Sequence, residues 1–253
     1  MPETMPDQAL PVSIVIPARN EAARLPASLR KILRTFPDEP WEFLIVVEKS
    51  DDDTARLARD VVADDRRFVI VENSEARGKG FAVKTGMLRA RGDWIFFMDA
   101  DLSVPLPTVR RFLDASGTGD VLIGNRRHAE SLIAIRQPLL REACGRIFSH
   151  VLRGFGATRI RDTQCGFKAF RRDAAQEIFS RVRQDGFGFD VEAVILAEVL
   201  GFRLVELPVE WADAAGSKVR PFQDGVGALI DAVLAAKRIR REHSRDGNSR
   251  SQY

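Results

Sequence analysis

Short β-branched apolar runs, each closed by a polar cluster, recur along the chain and constrain its fold more than any other feature. Val12–Ile16 ends at Pro17, and Phe43–Val47, Phe68–Val71, Trp94–Met98 and Asp120–Ile123 follow at intervals. Runs this short, bounded by turn formers, read as buried strands. Between them Leu25, Leu29, Ile32, Leu33 and Phe36 recur at helical spacing. Asp51–Asp53 before Thr54 place acids at a helix start, and Gly78–Gly80 lead into a helix through Arg91. Strands alternating with helices predict an α/β fold: a mostly parallel, Rossmann-like sheet with helices on both faces.

In such a sheet ligands bind beyond the carboxyl ends of the strands. The polar clusters fall there. Arg19-Asn20-Glu21 follows the first strand and Glu48–Asp52 the second. Asp99-Ala100-Asp101 follows the fourth, and Gly124-Asn125-Arg126-Arg127 the fifth. Four polar clusters at one end of a sheet predict an active site.

The chain has 253 residues, enough for one large domain. A net charge of +3 excludes a nucleic-acid-coating polycation. Lys237–Tyr253 carries six basic residues against two acidic ones, so the body is near neutral. Two isolated cysteines, Cys144 and Cys165, form neither a disulfide framework nor a zinc site and suit a reducing compartment. No apolar run reaches the roughly 18 residues of a membrane span, and Met1–Leu10 lacks the pattern of a secretory signal. A cytoplasmic location is expected, either free or peripheral on the cytoplasmic membrane face.

Asp99 and Asp101 can both face a hard cation such as Mg²⁺ or Mn²⁺, with diphosphate oxygens completing its shell. The same residues also suit a helix-capping turn. Arg77-Gly78-Lys79-Gly80 makes a modest anion site at a helix start but lacks the spacing of an ATPase phosphate loop or of a dinucleotide fingerprint. Asp190 and Glu192 open an apolar helix running to Leu200. They read either as charges favoured by the helix dipole or as a carboxylate base projected into a pocket. His128 and His150 have no partner at ligand spacing and read as surface or packing residues.

Taken together, Pro17-Ala18-Arg19-Asn20-Glu21, Arg77-Gly78-Lys79-Gly80 through Gly86, and Met98-Asp99-Ala100-Asp101-Leu102-Ser103 resemble the family-2 inverting glycosyltransferases of GT-A-type fold. Asp162-Thr163-Gln164-Cys165-Gly166-Phe167-Lys168, Phe189-Asp190-Val191-Glu192, and Trp211 with Gly216-Ser217-Lys218 resemble the dolichyl-phosphate β-glucosyltransferase branch. The related dolichyl-phosphate mannose synthases are a looser match.

The resemblance implies attack on the anomeric carbon of a nucleotide-diphosphate sugar, of UDP-glucose or GDP-mannose type, with inversion. It implies donor contacts from Pro17, Ala18, Asn20, Glu21, Glu48, Lys79, Asp99, Ala100 and Asp101, with Mg²⁺ or Mn²⁺ at Asp101 assisted by Asp99. Gln164, Gly166, Phe167, Lys168 and Glu192 belong to its acceptor-side motif. Asp190 and Asp101 are the implied catalytic residues. A polyprenyl phosphate acceptor is already a nucleophile, so cations that hold it matter more than a base. Arg126, Arg127, Arg136, Arg141 and Lys218 are candidates. A soluble or protein-bound hydroxyl acceptor, which needs Asp190 as a base, and a silent nucleotide-sugar-binding protein are the alternatives.

The sequence departs from the family where Val-Asp-Asp-Gly-Ser is usual: here it reads Val46-Val47-Glu48-Lys49-Ser50, which leaves donor base and sugar open. The expected organisation is an extension at 1–10 and one catalytic domain at 11–220, with a nucleotide-sugar half at 11–125 and an acceptor half at 126–220. An amphipathic helix at 221–241 and a disordered basic tail at 242–253 follow. In that helix Val226, Leu229, Ile230, Val233 and Leu234 form an apolar stripe before Lys237–Arg241. It is read as packing on the domain or lying on an anionic membrane.

Overall fold

The computed structural model describes residues 10–213 and 221–250, with side chains at all of these but 140–141, 221–228 and 245–250. Lys218 and the side chains of Arg141 and Val226 therefore lie outside the described residues. The first half runs β1 (Leu10–Ala18), α1 (Leu25–Thr35), β2 (Glu42–Glu48), α2 (Thr54–Val62), β3 (Phe68–Asn73), α3 (Lys79–Arg89), β4 (Gly92–Met98), α4 (Thr108–Asp114) and β5 (Val121–Asn125). The second half adds β6 (Leu132–Ile135), α5 (Leu139–Gly154), β7 (Phe167–Arg171), α6 (Arg172–Arg181), α7 (Phe189–Val199), β8 (Leu204–Pro208), β9 (Glu210–Ala212) and α8 (Pro221–Arg250).

Seven strands form one sheet in the order β3-β2-β1-β4-β7-β5-β8, and β6 pairs with β9 apart from it. The sheet is parallel except for β7, which runs antiparallel to both β4 and β5. Period-2 alternation sends neighbouring residues to opposite faces. In β1, Ile14 and Ile16 pack under α1, α2 and α4, while Val15 faces the layer of α3, α6 and α7. In β4, Phe96 and Met98 join the first layer and Ile95 and Phe97 the second. Burying one such phenylalanine contributes about 2–3 kcal/mol.

β7 and β8 come from the segment assigned to the acceptor half and flank β5, so the two halves of the domain share one sheet. One bound differs from the expected organisation: the helix does not stop at residue 241, because α8 continues to Arg250, where the sequence predicts a disordered tail. Its continuation is supported by Glu242, which pairs with Arg238 one turn back and with Arg183.

α8 divides the expected stripe. Leu229 and Val233 pack on the domain beside buried Ala232, Ala235, Ala236 and Ile239. Ile230 and Leu234 face outward, more than half exposed. α7 is apolar all round and buried from Phe189 to Ala197, the pattern of a core helix. It carries Asp190 and Glu192 inward, and buried carboxylates need partners.

Candidate active site

The carboxyl ends of β1, β2, β4 and β5 and the start of β7 meet at one edge of the sheet. The β1 end is stitched to the loop after β2. Asn20 lies in the left-handed region at φ 53°, which asparagine tolerates. Its backbone N–H donates to Ser50 Oγ at 3.0 Å, and its side-chain oxygen accepts from Asp51 N at 2.7 Å. Glu21 N donates to Thr54 Oγ1 at 2.8 Å. Pro17 and Ala18 close β1 in register with Val46 and Val47.

Glu48 is buried at the end of β2, and its carboxylate turns toward the Arg77–Gly80 loop. It accepts the backbone N–H groups of Arg77 at 3.1 Å and Gly78 at 2.9 Å. Gly78 holds φ 129°, a conformation side chains rarely adopt. The loop delivers Lys79 to Asp99, ammonium to Oδ1 at 2.6 Å. Burial works to lower the Lys79 pKa, but Asp99, Asp190 and Asp101 more than offset it and raise the ammonium above the usual lysine value.

After β4, Asp99 lies against Gly166: a Cβ there would sit 1.9 Å from Asp99 Oδ2, so only glycine leaves the carboxylate its place. Gly166 also accepts Asp99 N–H at 3.2 Å. Ala100 O accepts from Ser28 Oγ at 2.6 Å. Asp101 Oδ1 accepts from Ser103 N and Oγ at 2.9 and 2.8 Å. Its Oδ2 lies 3.9 Å from the Arg24 guanidinium, which pairs with Glu21 at 3.0 Å. Leu102 follows at φ 52°, a strained position for a leucine.

This pair supplies hard oxygen donors only, the chemistry of Mg²⁺ or Mn²⁺. Among the described residues no cluster of three or more His, Cys, Asp or Glu is placed to hold a metal ion. A cation at Asp101 would therefore take most of its ligands from elsewhere, as a diphosphate could supply.

β7 brings Lys168 beside β4, opposite Phe97. Lys168 is 1% exposed and donates to Asp190 Oδ1 at 2.5 Å and to Cys165 O at 2.7 Å. The Lys168 and Lys79 ammoniums lie 5.2 and 5.3 Å from the centre of the Phe97 ring, within cation–π range. Burial pushes the Asp190 carboxyl above the usual aspartate value, against the pull of Lys168 and Lys79. Phe167 packs edge-on to Phe112, centroids 4.8 Å apart. Gln164 is half-buried in the turn before it.

Arg126 follows β5 and forks onto buried Asp162, with both contacts at 2.8 Å, while its guanidinium stacks over Trp211 at 5.5 Å. Burial opposes the Asp162 charge, but Arg126 prevails and holds its pKa at about 2. Arg127 donates to Arg161 O at 2.7 Å. Its pKa is lowered by burial and by Arg126, Arg146 and Arg153, so cations crowd this side. Arg136 stands exposed just past β6, the strand that pairs with the one carrying Trp211. Buried Cys165 has its thiol pushed up to about 12 by burial, which leaves it inert at neutral pH. His128 and His150 make only local backbone contacts.

The structure thus brings together Glu48, Lys79, Asp99, Asp101, Gly166, Lys168 and Asp190 at one edge. Arg24 and Asp185, which pairs with Arg77 at 2.6 Å, also belong there and carry no motif of their own.

Residues 13–179 match the family described as Glycosyl transferase family 2. The chain is similar to the dolichyl-phosphate beta-glucosyltransferase of Saccharomyces cerevisiae, 31% identical over 92% of this chain and 76% of the yeast protein. The Drosophila melanogaster protein of the same name is 32% identical over 85% of this chain and 71% of its own. Among solved structures, glucosyl-3-phosphoglycerate synthase from Mycobacterium tuberculosis with UDP superposes with a TM-score of 0.65 at 20% identity, covering 89% of this chain and 79% of that one. A mannosyltransferase from Pyrobaculum calidifontis, in complex with GDP-Man and Mn²⁺, gives 0.57 at 18% identity, covering 97% and 81%. These likenesses show the GT-A-type fold.

Proposed function

The chain belongs to glycosyl transferase family 2, and from that premise we propose that it transfers glucose from a nucleotide-diphosphate sugar to a polyprenyl, dolichyl-type phosphate. Its similarity to dolichyl-phosphate beta-glucosyltransferases along most of its length supports the sugar and the acceptor. The observation that carries the acceptor class is the Lys168–Asp190 pair. A hydroxyl acceptor must lose a proton to a free base. Asp190 already shares its oxygen with a buried ammonium. A phosphate oxygen is ionised at neutral pH and needs no base.

In this reaction a phosphate oxygen attacks the anomeric carbon from the face opposite the leaving group. The bond from that carbon to the β-phosphate oxygen breaks, and the nucleoside diphosphate leaves with the electron pair. Lys79 would stabilise charge growing on that diphosphate, and Asp99 orients Lys79. A divalent cation at Asp101, assisted by Asp99, would add Lewis-acid stabilisation of the same charge. Pro17, Ala18, Asn20, Glu21, Glu48 and Ala100 frame the donor. Arg127, with Arg136, Arg141 and Lys218, would take the acceptor phosphate, while Arg126 shapes that side through Asp162 and Trp211. No described helix is long and apolar enough to cross a membrane. The outward face of α8 is a surface of this chain that could meet the lipid.

UDP-glucose and GDP-mannose offered with a polyprenyl phosphate and Mg²⁺ or Mn²⁺ should give organic-extractable labelled glucose from the first. Label appearing only on water-soluble or protein acceptors would overturn the reading. A second reading has one observation in its favour: burial raises Asp190, the direction a general base needs. Asp190→Asn separates the two. With a phosphate acceptor it should retain activity within about tenfold; with a hydroxyl acceptor the loss should be roughly 10²–10⁴-fold.

A further inference from the structure

Glu192 is wholly buried and two residues beyond Asp190, and its carboxylate is bonded to the 183–184 backbone and to α8. Its Oε2 accepts the backbone N–H groups of Arg183 at 2.9 Å and Gln184 at 2.7 Å. Its Oε1 pairs with the guanidinium of Arg238 on α8. Glu192 therefore fixes the start of the 183–188 segment, and that segment lies directly on the Arg77–Gly80 loop.

The contact between the two loops is backbone to backbone. A Cβ at Gly80 would sit 2.4 Å from Gln184 O, and one at Gly78 would sit 2.6 Å from Asp185 O. Phe81 N–H donates to Asp185 O at 3.1 Å. Asp185 also takes the Arg77 guanidinium, at 3.0 and 2.6 Å. On its other side the loop is held by Glu48. Lys79 rides on this clamped loop, and its pairing with Asp99 depends on where the loop stands.

We propose that Glu192 is a positioning residue for the donor loop, and that Arg238 makes the C-terminal helix α8 part of the donor site without touching it. A carboxylate with no exposure needs a counter-charge, and α8 supplies it. Docking of α8 thus sets Glu192, Glu192 sets the carbonyls of residues 184 and 185, and these set Lys79. The proposal rests on the functional reading only in taking a nucleotide diphosphate as what Lys79 meets.

Amide hydrogen exchange and donor kinetics on the full-length protein test it, with Glu192→Gln, Arg238→Gln and Arg238→Lys. Glu192→Gln and Arg238→Gln should speed exchange across residues 78–82 by about tenfold. They should raise the donor KM and lower kcat, together a loss of about five- to thirtyfold in kcat/KM for the donor, while acceptor KM stays within about twofold. Arg238→Lys, which keeps the charge, should restore most of both. Unchanged loop exchange, or a lower melting temperature with an unmoved donor kcat/KM, overturns the proposal. Should Glu192→Gln fail to fold, Arg238→Gln decides, since that side chain is 27% exposed on an outer helix. A wild type that uses neither UDP-glucose nor GDP-mannose sinks the functional reading alone. The exchange measurement still judges the coupling.

Discussion

The two sides of the sheet edge hold their carboxylates in opposite ways. After β4, Asp99 and Asp101 keep 32% and 23% of their side chains exposed, and Asp101 retains an oxygen whose nearest cation is 3.9 Å away. Around β5 and β7, Asp162 and Asp190 are 1% and 6% exposed, and each is already bonded to a cation at 2.8 and 2.5 Å. Asp99 is paired with Lys79 at 2.6 Å, so in the first arrangement it is Asp101 that offers charge to something that arrives. The second uses charge to fix a frame before anything arrives. Substitutions on the β4 side should therefore reduce turnover at constant stability, and those on the β5/β7 side should reduce stability first.

The largest effect is expected at Asp101. Asp101→Ala should lower transfer at least about 10³-fold, roughly 4 kcal/mol of barrier. Its melting temperature should stay within about 2 °C of the wild type. Parallel kinetics and thermal melts measure both. A variant that melts far lower while its surviving folded fraction turns over normally breaks the contrast from the donor side.

Lys168→Met probes the other side. It leaves Asp190 buried without its cation and should cost roughly 3 kcal/mol of stability, read by urea denaturation. Adding Asp190→Asn should restore part of that loss, because the uncompensated charge goes with it. Normal stability in the single variant would mean that the frame is not held by charge.

Asp162 gives a smaller, pH-dependent effect. Its carboxyl titrates at about 2 in the fold against 3.8 in a free aspartate. The folded pKa is depressed, so the stabilisation is fully present above about pH 4 and is lost as pH falls toward 2. It amounts to about 2 kcal/mol. Stability measured from pH 6 to pH 2 should show this loss, and Asp162→Asn should flatten that part of the curve. An unchanged curve in the variant would assign the acid sensitivity elsewhere.

The same contrast explains what the sequence made legible. The first five strands and the polar clusters at their ends could be read because each is an uninterrupted apolar run with a polar stop. β7 could not, because Phe167–Arg171 is broken by Lys168, a residue that normally marks a surface. Its burial depends on Asp190, 22 residues further on, and no local pattern encodes that partner. Asp99 and Asp101 were visible as a motif. The need for glycine at 166 was not, since it arises from Asp99 across two strands. Glu48 was legible as a departure, but its bonds to the 77–78 backbone exist only in three dimensions. Arg24 and Asp185 carry no signal beyond their charge.

The smallest expected effect extends the comparison to the protein surface. Of the basic residues in α8, Arg238 is drawn in by Glu192 and Arg240 by the carbonyls of Gly156 and Ala157. Lys237 and Arg241 remain exposed, and with Ile230 and Leu234 they fall at helical spacing on the outward face. An apolar strip continued by cations suits the headgroup region of an anionic bilayer. Each cation there is worth about 1 kcal/mol, and salt screens it. Lys237→Glu with Arg241→Glu should therefore weaken binding to anionic liposomes by roughly tenfold or more at low salt, with little difference left at high salt. Activity on a short, water-soluble acceptor phosphate should be unchanged, because neither side chain reaches the sheet edge. Co-sedimentation at two ionic strengths measures the first, and a soluble-acceptor assay the second. If the wild type ignores anionic vesicles, α8 serves the domain alone, and the charged frame behind Glu192 is its whole purpose.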